Sequence, residues 1–150
     1  MRKNFGAKPW TYPQPVLILA SYAEDGTPDA MNAAWGGISE ANELSICISE
    51  GHKTTKNILT RKAFTVSMAD AAHVVACDYV GIVSANDTPD KLEKAGFHTS
   101  RSTFVDAPII DVSNWSQDWD DKVDKDQIVK NVKAARDGDI INMHSTYEKT

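Results

Sequence analysis

The chain has little of what defines several large classes of protein. Of its 150 residues only two are cysteines, Cys47 and Cys77, and they form no CxxC motif of the kind that binds zinc or cycles as a disulfide. We therefore expect two buried, reduced thiols and a cytoplasmic location. No apolar run approaches the roughly 20 residues that cross a bilayer. The first residues do not resemble a signal peptide, so we expect no membrane contact.

Positive charge is also scarce. The chain has 16 lysines and arginines against 21 aspartates and glutamates, for a formal net charge of -5, and no basic stripe. This balance argues against a nucleic-acid partner. The motifs GxGxxG, GxxxxGK[ST], HExxH and GxSxG are absent, so a Rossmann, P-loop, zinc-protease or serine-hydrolase site is unsupported. The 41% hydrophobic and 25% charged residues are typical of a soluble globular domain.

The hydrophobic pattern predicts strands first and short helices between later strands. Strands are expected at residues 16–22, 30–37, 44–49 and 63–68. Helices are expected at residues 54–61, 69–80 and 87–95. Asp25–Gly26 should turn the first hairpin, Asp70 should cap the second helix, and Gly96 should end the third. A strand edge is expected at 101–105, closed by Pro108. The order favours a mainly β fold with inserted helices (α+β), built on an antiparallel sheet or barrel.

A candidate anion site lies where the third predicted strand gives way to the first helix. The strand breaks at Gly51 and the helix begins near Thr54, with Ile58 and Leu59 turned inward. A helix start leaves backbone N–H groups unpaired and carries partial positive charge. Lys53 and the hydroxyls of Thr54 and Thr55 add donors for a phosphate. The alternative interpretation is that Thr54 only caps the helix.

The second predicted strand is rich in small residues. Ala33, Ala34, Gly36 and Gly37 leave space beside the backbone. That space suits a flat ligand, and it equally suits a neighbouring strand in a tight barrel. Trp35 supplies an aromatic face within the run, which fits core packing as well as a ligand contact.

Residues 4–110 resemble the flavin reductase-like, FMN-binding split-barrel proteins of the flavoredoxin type. The matching motifs are at residues 5–10, 15–16, 32–37, 52–58, 63–67, 78–84 and 90–97. The resemblance implies an incomplete split β-barrel over residues 1–110, because the later strands that close such a barrel are missing. It also implies a homodimer that binds FMN without a covalent link. Electrons would pass from NAD(P)H or an electron-carrier protein to an acceptor.

The resemblance also assigns the candidate FMN-binding residues. They are Lys53, Thr54 and Thr55 at the phosphate with Ser49 nearby, Asn32, Ala33, Ala34 and Trp35 beside the isoalloxazine, and Asp78, Tyr79, Val80, Gly81 and Lys91 around the flavin or its substrate face. No catalytic side chain is implied, since the hydride chemistry belongs to the cofactor. The alternatives are a non-catalytic FMN-binding module and a chimeric product whose pocket is broken.

Residues 111–150 depart from that family's pattern and are expected to form a helix–strand appendage. Segments within residues 115–119, 127–132 and 137–144 are similar to the C-terminal part of NodB-type polysaccharide deacetylases. That family's metal-site motifs, a paired aspartate and HxxxH, are missing here, so we expect no deacetylase activity, and we expect His144 to be idle or to serve in packing. We expect a helix at 126–136 and a strand at 139–144. These should pack over the open side of the barrel.

Overall fold

A three-stranded antiparallel sheet lies at the centre of the fold. The computed structural model describes residues 2–10, 13–112, 114–115, 124–134 and 141–142. In chain order the elements are β1 (Leu17–Tyr22), β2 (Pro28–Ala33), β3 (Gly36–Glu40), β4 (Glu43–Ile46), α1 (Lys53–Arg61), β5 (Thr65–Met68), α2 (Val74–Ile82), α3 (Lys91–Lys94), β6 (Thr99–Arg101), β7 (Pro108–Ile110), β8 (Asn114–Trp115), α4 (Lys125–Lys133) and β9 (Ile141–Asn142). The central sheet has the order β2-β1-β5, so β1 is paired on both edges.

Strand β1 is buried on both faces, and its alternate side chains enter two separate clusters. Ile18 and Ala20 pack with residues of α2, α3 and β7 on one side. Leu17 and Leu19 pack with β2 side chains on the other. This division follows the two-residue period of a strand. The apolar run predicted for the first strand is therefore confirmed as the centre of the core.

The first hairpin forms as the Asp25–Gly26 pair predicted. Strands β1 and β2 pair in register from Leu17 opposite Ala33 to Tyr22 opposite Pro28. The Asp25 side chain accepts a hydrogen bond from the Thr27 N–H at 2.9 Å. That bond lowers the pKa of the Asp25 carboxyl below its ordinary value, because it favours the charged form.

The prediction of a single strand at 30–37 is wrong, because the strand is interrupted between β2 and β3. Strand β2 ends at Ala33 and β3 begins at Gly36 in a separate sheet with β4. The Trp35 carbonyl accepts a hydrogen bond from the Cys47 N–H at 2.7 Å, which brings β4 alongside. A Cβ at Gly36 would lie 2.8 Å from the Ser45 carbonyl oxygen, so here the small residue accommodates a neighbouring strand.

The predicted helices exist, but two of them are shorter. Helix α1 begins one residue before the prediction, whereas α2 begins at Val74 rather than at residue 69. Asp70 accepts a hydrogen bond from the His73 N–H at 2.9 Å. It therefore stabilises the turn that precedes α2 and is not the N-cap of the helix, a position that His73 occupies. Helix α3 covers only Lys91–Lys94. It ends as predicted at Gly96, which has a φ of +74° and donates to the Glu93 carbonyl at 2.9 Å.

Three further expectations are corrected. The strand expected at 101–105 is instead the hairpin β6–β7, in which Pro108 begins a strand rather than closing one. Leu59 is 59% exposed and does not point inward. Cys47 is exposed, because it follows the end of β4, while Cys77 is buried as expected.

The described part of the C-terminal segment contains one helix and a pair of short strands. Asp124 caps α4 by accepting from the Gln127 N–H at 2.8 Å, and Ile128 is buried. Strands β8 and β9 pair in parallel. Residues 135–136 and His144 lie outside the described residues. The division at residue 110 and the packing of this segment over a barrel stay predictions.

The strands of the described residues form one sheet of three strands and three sheets of two, and no closed barrel is present among them. None of the helices in that part of the chain is long and apolar enough to span a bilayer.

Candidate functional site

A cavity of about 120 Å³ opens between the start of α1, strand β2 and the end of α2. Met31 contributes from β2, residues 52–54 from the start of α1, and residues 80–85 from the end of α2 and the loop after it. Lys91 of α3 completes the wall. Five residues predicted from the sequence meet here: Lys53, Thr54, Val80, Gly81 and Lys91.

The first turn of α1 offers unpaired donors to this cavity. Within the described residues, the backbone N–H groups of Lys53, Thr54 and Thr55 form no hydrogen bond. The first paired amide is that of Lys56, which donates to the His52 carbonyl at 3.2 Å. The turn contains no acidic residue, and Lys53 forms no salt bridge in the described part of the chain. Backbone amides, helix dipole and ammonium group therefore all favour an anion.

The hydroxyl groups of the two threonines point into the protein. Thr54 donates to Asp29 Oδ2 at 2.7 Å, and Thr55 donates to the Ser49 carbonyl at 2.7 Å. Both residues lie inside α1, and His52 is the N-cap, so the interpretation of Thr54 as a simple cap is wrong. The donors that remain for an anion are the backbone N–H groups and Lys53.

Asp29 is the residue at this site that sequence reasoning missed. It is 3% exposed, and its Oδ1 lies 3.0 Å from Nζ of Lys91, which is 2% exposed. The contact is an ion pair without the alignment of a hydrogen bond. The prediction placed Asp29 in the turn and began the strand at Ala30. The available signal was the two-residue period of β2, which puts Asp29 on the same face of the strand as the buried Met31 and Ala33.

Lys91 uses its remaining donors on the end of α2. Nζ donates to the carbonyls of Val80 and Val83, each at 3.2 Å. A helix C-terminus leaves carbonyl groups without intrahelical partners, so a buried ammonium satisfies two of them. Lys91 thus borders the cavity while its charge and its hydrogen bonds are directed to protein groups.

Asn32 and Gly81 fit together beside the cavity. The Asn32 side chain donates to the Cys77 carbonyl at 3.2 Å. A Cβ at Gly81 would lie 2.1 Å from Asn32 Oδ1, so only glycine allows the amide to lie against α2 at this position. Strand β2 and helix α2 are therefore in direct contact at two residues that the sequence assigned to the same site.

The other predicted site residues do not line the cavity. Ala33 is buried in the core cluster with Leu17 and Leu19. Trp35 is 55% exposed, which rules out the core-packing interpretation of its ring. Three further members of this group are exposed: Ala34, Ser49 and Asp78. Tyr79 is half-buried against the core, and Thr55 is buried.

Neither thiol belongs to the cavity. Burial raises the pKa of the Cys77 thiol to about 11, because the thiolate would lose its hydration, and the nearby Asp70 carboxylate adds to the effect. A thiol held in this form is a poor nucleophile. Among the described residues, no group of three or more His, Cys, Asp or Glu side chains is placed to hold a metal ion.

Comparison with known proteins identifies relatives of this chain. The family model described as "Flavin reductase like domain" matches residues 10–115. Flavoredoxin of Desulfovibrio vulgaris (Miyazaki F) is 33% identical, with a TM-score of 0.70 over 74% of this chain and 61% of that chain. No curated protein matches the chain.

Two further solved structures share the fold. Flavoredoxin from Methanosarcina acetivorans is 22% identical, with a TM-score of 0.62 over 73% of this chain and 59% of that one. An FMN-binding domain of a flavin reductases-like enzyme from Shewanella baltica OS155 is 21% identical, with a TM-score of 0.61 over 65% of this chain and 52% of that one. The chain thus spans between half and two thirds of the length of the structures it matches.

Proposed function

Since the chain belongs to the flavin reductase-like family, we propose that it binds FMN without a covalent link and serves as a flavin-dependent oxidoreductase. The observation that carries this proposal is the cavity at the start of α1. There the unpaired N–H groups of Lys53 and Thr54 belong to residues that line a space able to take a small anion, and Lys53 adds a positive charge. A phosphate bound at a helix N-terminus is a recurrent arrangement in proteins.

The size of the cavity restricts which part of FMN it can hold. A volume of about 120 Å³ is well below the roughly 300–1,000 Å³ of sites that enclose a whole small molecule. We therefore assign the cavity to the phosphate end alone. The ring would extend outward past Asn32 and Gly81 towards the exposed Ala34 and Trp35.

The flavin, when bound, supplies the electron-transfer chemistry. The protein's part is to fix the phosphate with backbone donors and Lys53, and to offer apolar and amide groups to the ring. Trp35 has an exposed aromatic face suited to packing on a flat ring. The Asn32 amide, held against α2, is a polar group of fixed orientation beside that surface. No side chain of the chain is required to act as acid or base.

The partners belong to the same proposal. We propose NAD(P)H or an electron-carrier protein as the donor, and a homodimer as the assembled form. Helix α2 supports the dimer, because two large apolar side chains are exposed on its outer side, on either side of Asp78. Val75 is 80% exposed and Ile82 75% exposed. Large apolar side chains that lie exposed close together often mark a surface that a partner covers.

Titration of the purified protein with FMN and with riboflavin tests the phosphate assignment. Lys53→Ala should weaken FMN binding by roughly 10- to 100-fold, as expected for loss of a hydrogen bond to a charged group, and leave riboflavin binding unchanged. Lys56→Ala is the matched control, since Lys56 is an exposed lysine on the same helix that does not border the cavity. Equal losses for the two ligands, or equal effects of the two substitutions, would contradict the assignment.

A second candidate is an FMN-binding module without turnover. The exposed Trp35 favours it, because a ring resting on an open surface is not enclosed with an electron donor. Flavin absorbance retained without oxidation of NADH or NADPH would support the module over the enzyme. A colourless protein whose thermal midpoint ignores added FMN would contradict both, since a ligand that binds only the folded state must raise its stability.

The C-terminal segment adds no activity to this proposal. Its resemblance to the end of deacetylases stays a prediction, and residues 111–150 are proposed as an appendage to the domain at 1–110.

A further inference from the structure

We propose that Asp29 is a positioning residue for the phosphate end of the ligand, acting through Thr54 on one wall of the cavity and through Lys91 on the other. The inference rests on the proposed function for the identity of the ligand. It concerns a carboxylate that does not itself border the cavity but touches residues on both of its sides.

The first connection fixes the start of α1. Asp29 Oδ2 accepts from Thr54 Oγ1 at 2.7 Å and lies 3.5 Å from Asn57 Nδ2. Thr54 and Asn57 are three residues apart, so they project from the same side of the helix. Both residues are buried, which leaves them no solvent as an alternative partner. One carboxylate oxygen thus holds the turn whose unpaired amides are the proposed donors to the phosphate.

The second connection fixes the opposite wall. Asp29 Oδ1 pairs with Lys91 Nζ at 3.0 Å, and the same nitrogen donates to the carbonyls of Val80 and Val83. Those two residues line the cavity at the end of α2. Two side chains, those of Asp29 and Lys91, therefore connect α1 to the end of α2 through polar contacts.

Charge explains why both connections are needed. A buried carboxylate next to a phosphate site would repel the ligand unless a cation neutralises it. Lys91 supplies that cation at 3.0 Å, which leaves Lys53 as the lysine on the cavity wall that forms no salt bridge within the described residues. Lys91 is thereby assigned to Asp29 and not to the ligand, although it borders the same space.

Amide hydrogen exchange of the ligand-free protein tests the positioning role directly. Thr54→Val keeps the shape of the side chain and removes its donor, so exchange at the Lys56 and Asn57 amides should rise at least tenfold. Exchange at the Leu19 amide in β1 should stay unchanged. Thr54→Ser keeps the hydroxyl and should restore protection. Unchanged exchange at Lys56 and Asn57 in Thr54→Val would overturn the proposal, whether or not the protein binds FMN.

Ligand titrations of the same variants separate positioning from direct contact. Thr54→Val should weaken FMN binding about tenfold and leave riboflavin binding unchanged. Thr54→Ser should bind both ligands about as tightly as the parent protein. If Thr54 acts through Asp29, adding Thr54→Val to Asp29→Ala, which removes the acceptor of the Thr54 hydroxyl, should cost nothing further, whereas a hydroxyl bound directly to phosphate would give additive losses. Additive losses would overturn the proposal.

The two proposals can fail separately. A parent protein that ignores FMN would remove the proposed function, while the exchange experiment still decides whether Asp29 holds α1. Should Asp29→Ala fail to fold, the comparison of Thr54→Val with Thr54→Ser decides by itself.

Discussion

Replacing Lys91 by methionine should destabilise the protein far more than the same replacement at Lys94. Both lysines belong to α3, and each has its Nζ 3.0 Å from an aspartate oxygen. They differ in burial: the side chains of the Lys91–Asp29 pair are 3% and 4% exposed, and those of the Lys94–Asp90 pair are 53% and 51% exposed. The comparison therefore keeps the charged groups and their separation constant, while burial and the two hydrogen bonds of Lys91 to backbone carbonyls differ.

The expected size follows from the geometry. At 3.0 Å and an effective dielectric constant of about 20, two unit charges attract by about 5–6 kcal/mol. Dehydration of both groups offsets much of this attraction when the pair forms, but removing one partner leaves the other charge buried and unpaired. Breaking a buried pair in this way costs about 3–5 kcal/mol. The Val80 and Val83 carbonyls also lose their donor in Lys91→Met.

Urea denaturation followed by circular dichroism measures this difference. A loss of that size should lower the urea midpoint of Lys91→Met by about 2 M at typical slopes, while Lys94→Met should unfold with the parent protein. The double variant Asp29→Asn with Lys91→Met should recover part of the loss, because no charge is then left alone. Similar midpoints for Lys91→Met and Lys94→Met would refute the reasoning that burial makes the Asp29–Lys91 pair important.

Three further predictions concern the thiols and Gly81. The pKa of Cys77 is about 11 in the folded protein against an ordinary value of 9.0, so between these values the thiol ionises more readily in the unfolded state. The contribution of Cys77 to the free energy of unfolding should therefore be intact below pH 9 and decline as the pH rises towards 11. Cys77→Ala should remove this part of the pH dependence, and identical profiles for variant and parent would contradict it. A thiol reagent at neutral pH should modify exposed Cys47 rapidly and Cys77 only after unfolding, as counted by mass spectrometry; two fast thiols would be inconsistent with the core. Gly81→Ala should change the free energy of unfolding little, because a gain of about 1 kcal/mol in helix propensity offsets a loss of about 1 kcal/mol from the displaced Asn32 hydrogen bond. The same substitution should weaken FMN binding. An unchanged affinity for flavin would show that Asn32 does not belong to the site.

Local signals in the sequence predict local structure well in this chain. The Asp25–Gly26 pair identifies the first hairpin, and Gly96 marks the end of α3, because each depends on a few neighbouring residues. The start of α1 is likewise predicted to within one residue. The break after Ala33 is missed, since it depends on the pairing of β3 with β4 and not on the composition of the run.

The polar contacts of the candidate site depend on distant parts of the chain. Asp29 meets Thr54 across 25 positions, and it meets Lys91 from a different helix. Residue spacing carries no information about such contacts, and the family resemblance places residues at a site without stating which polar groups pair with each other. For that reason the motif at 52–55 indicates a candidate anion site, while the direction of the threonine hydroxyl groups depends on the fold.

An acidic chain can still hold a dianion where its charges are paired locally. The net charge of -5 disfavours a phosphate at long range, but screening by salt limits that effect to about 10 Å at 0.1 M ionic strength. Beside the cavity the Asp29 carboxylate is neutralised by Lys91, and the unpaired amides of α1 with Lys53 are positive groups, although the Asp25 carboxylate also interacts with Lys53. The affinity for FMN should therefore fall only moderately between 0.05 and 0.5 M salt in the parent protein. In Lys91→Met the loss of neutralisation should weaken FMN at every salt concentration, as fluorescence titration can measure, and leave riboflavin less affected. A Lys91→Met variant that binds FMN as the parent does would show that Asp29 has no electrostatic influence on the site.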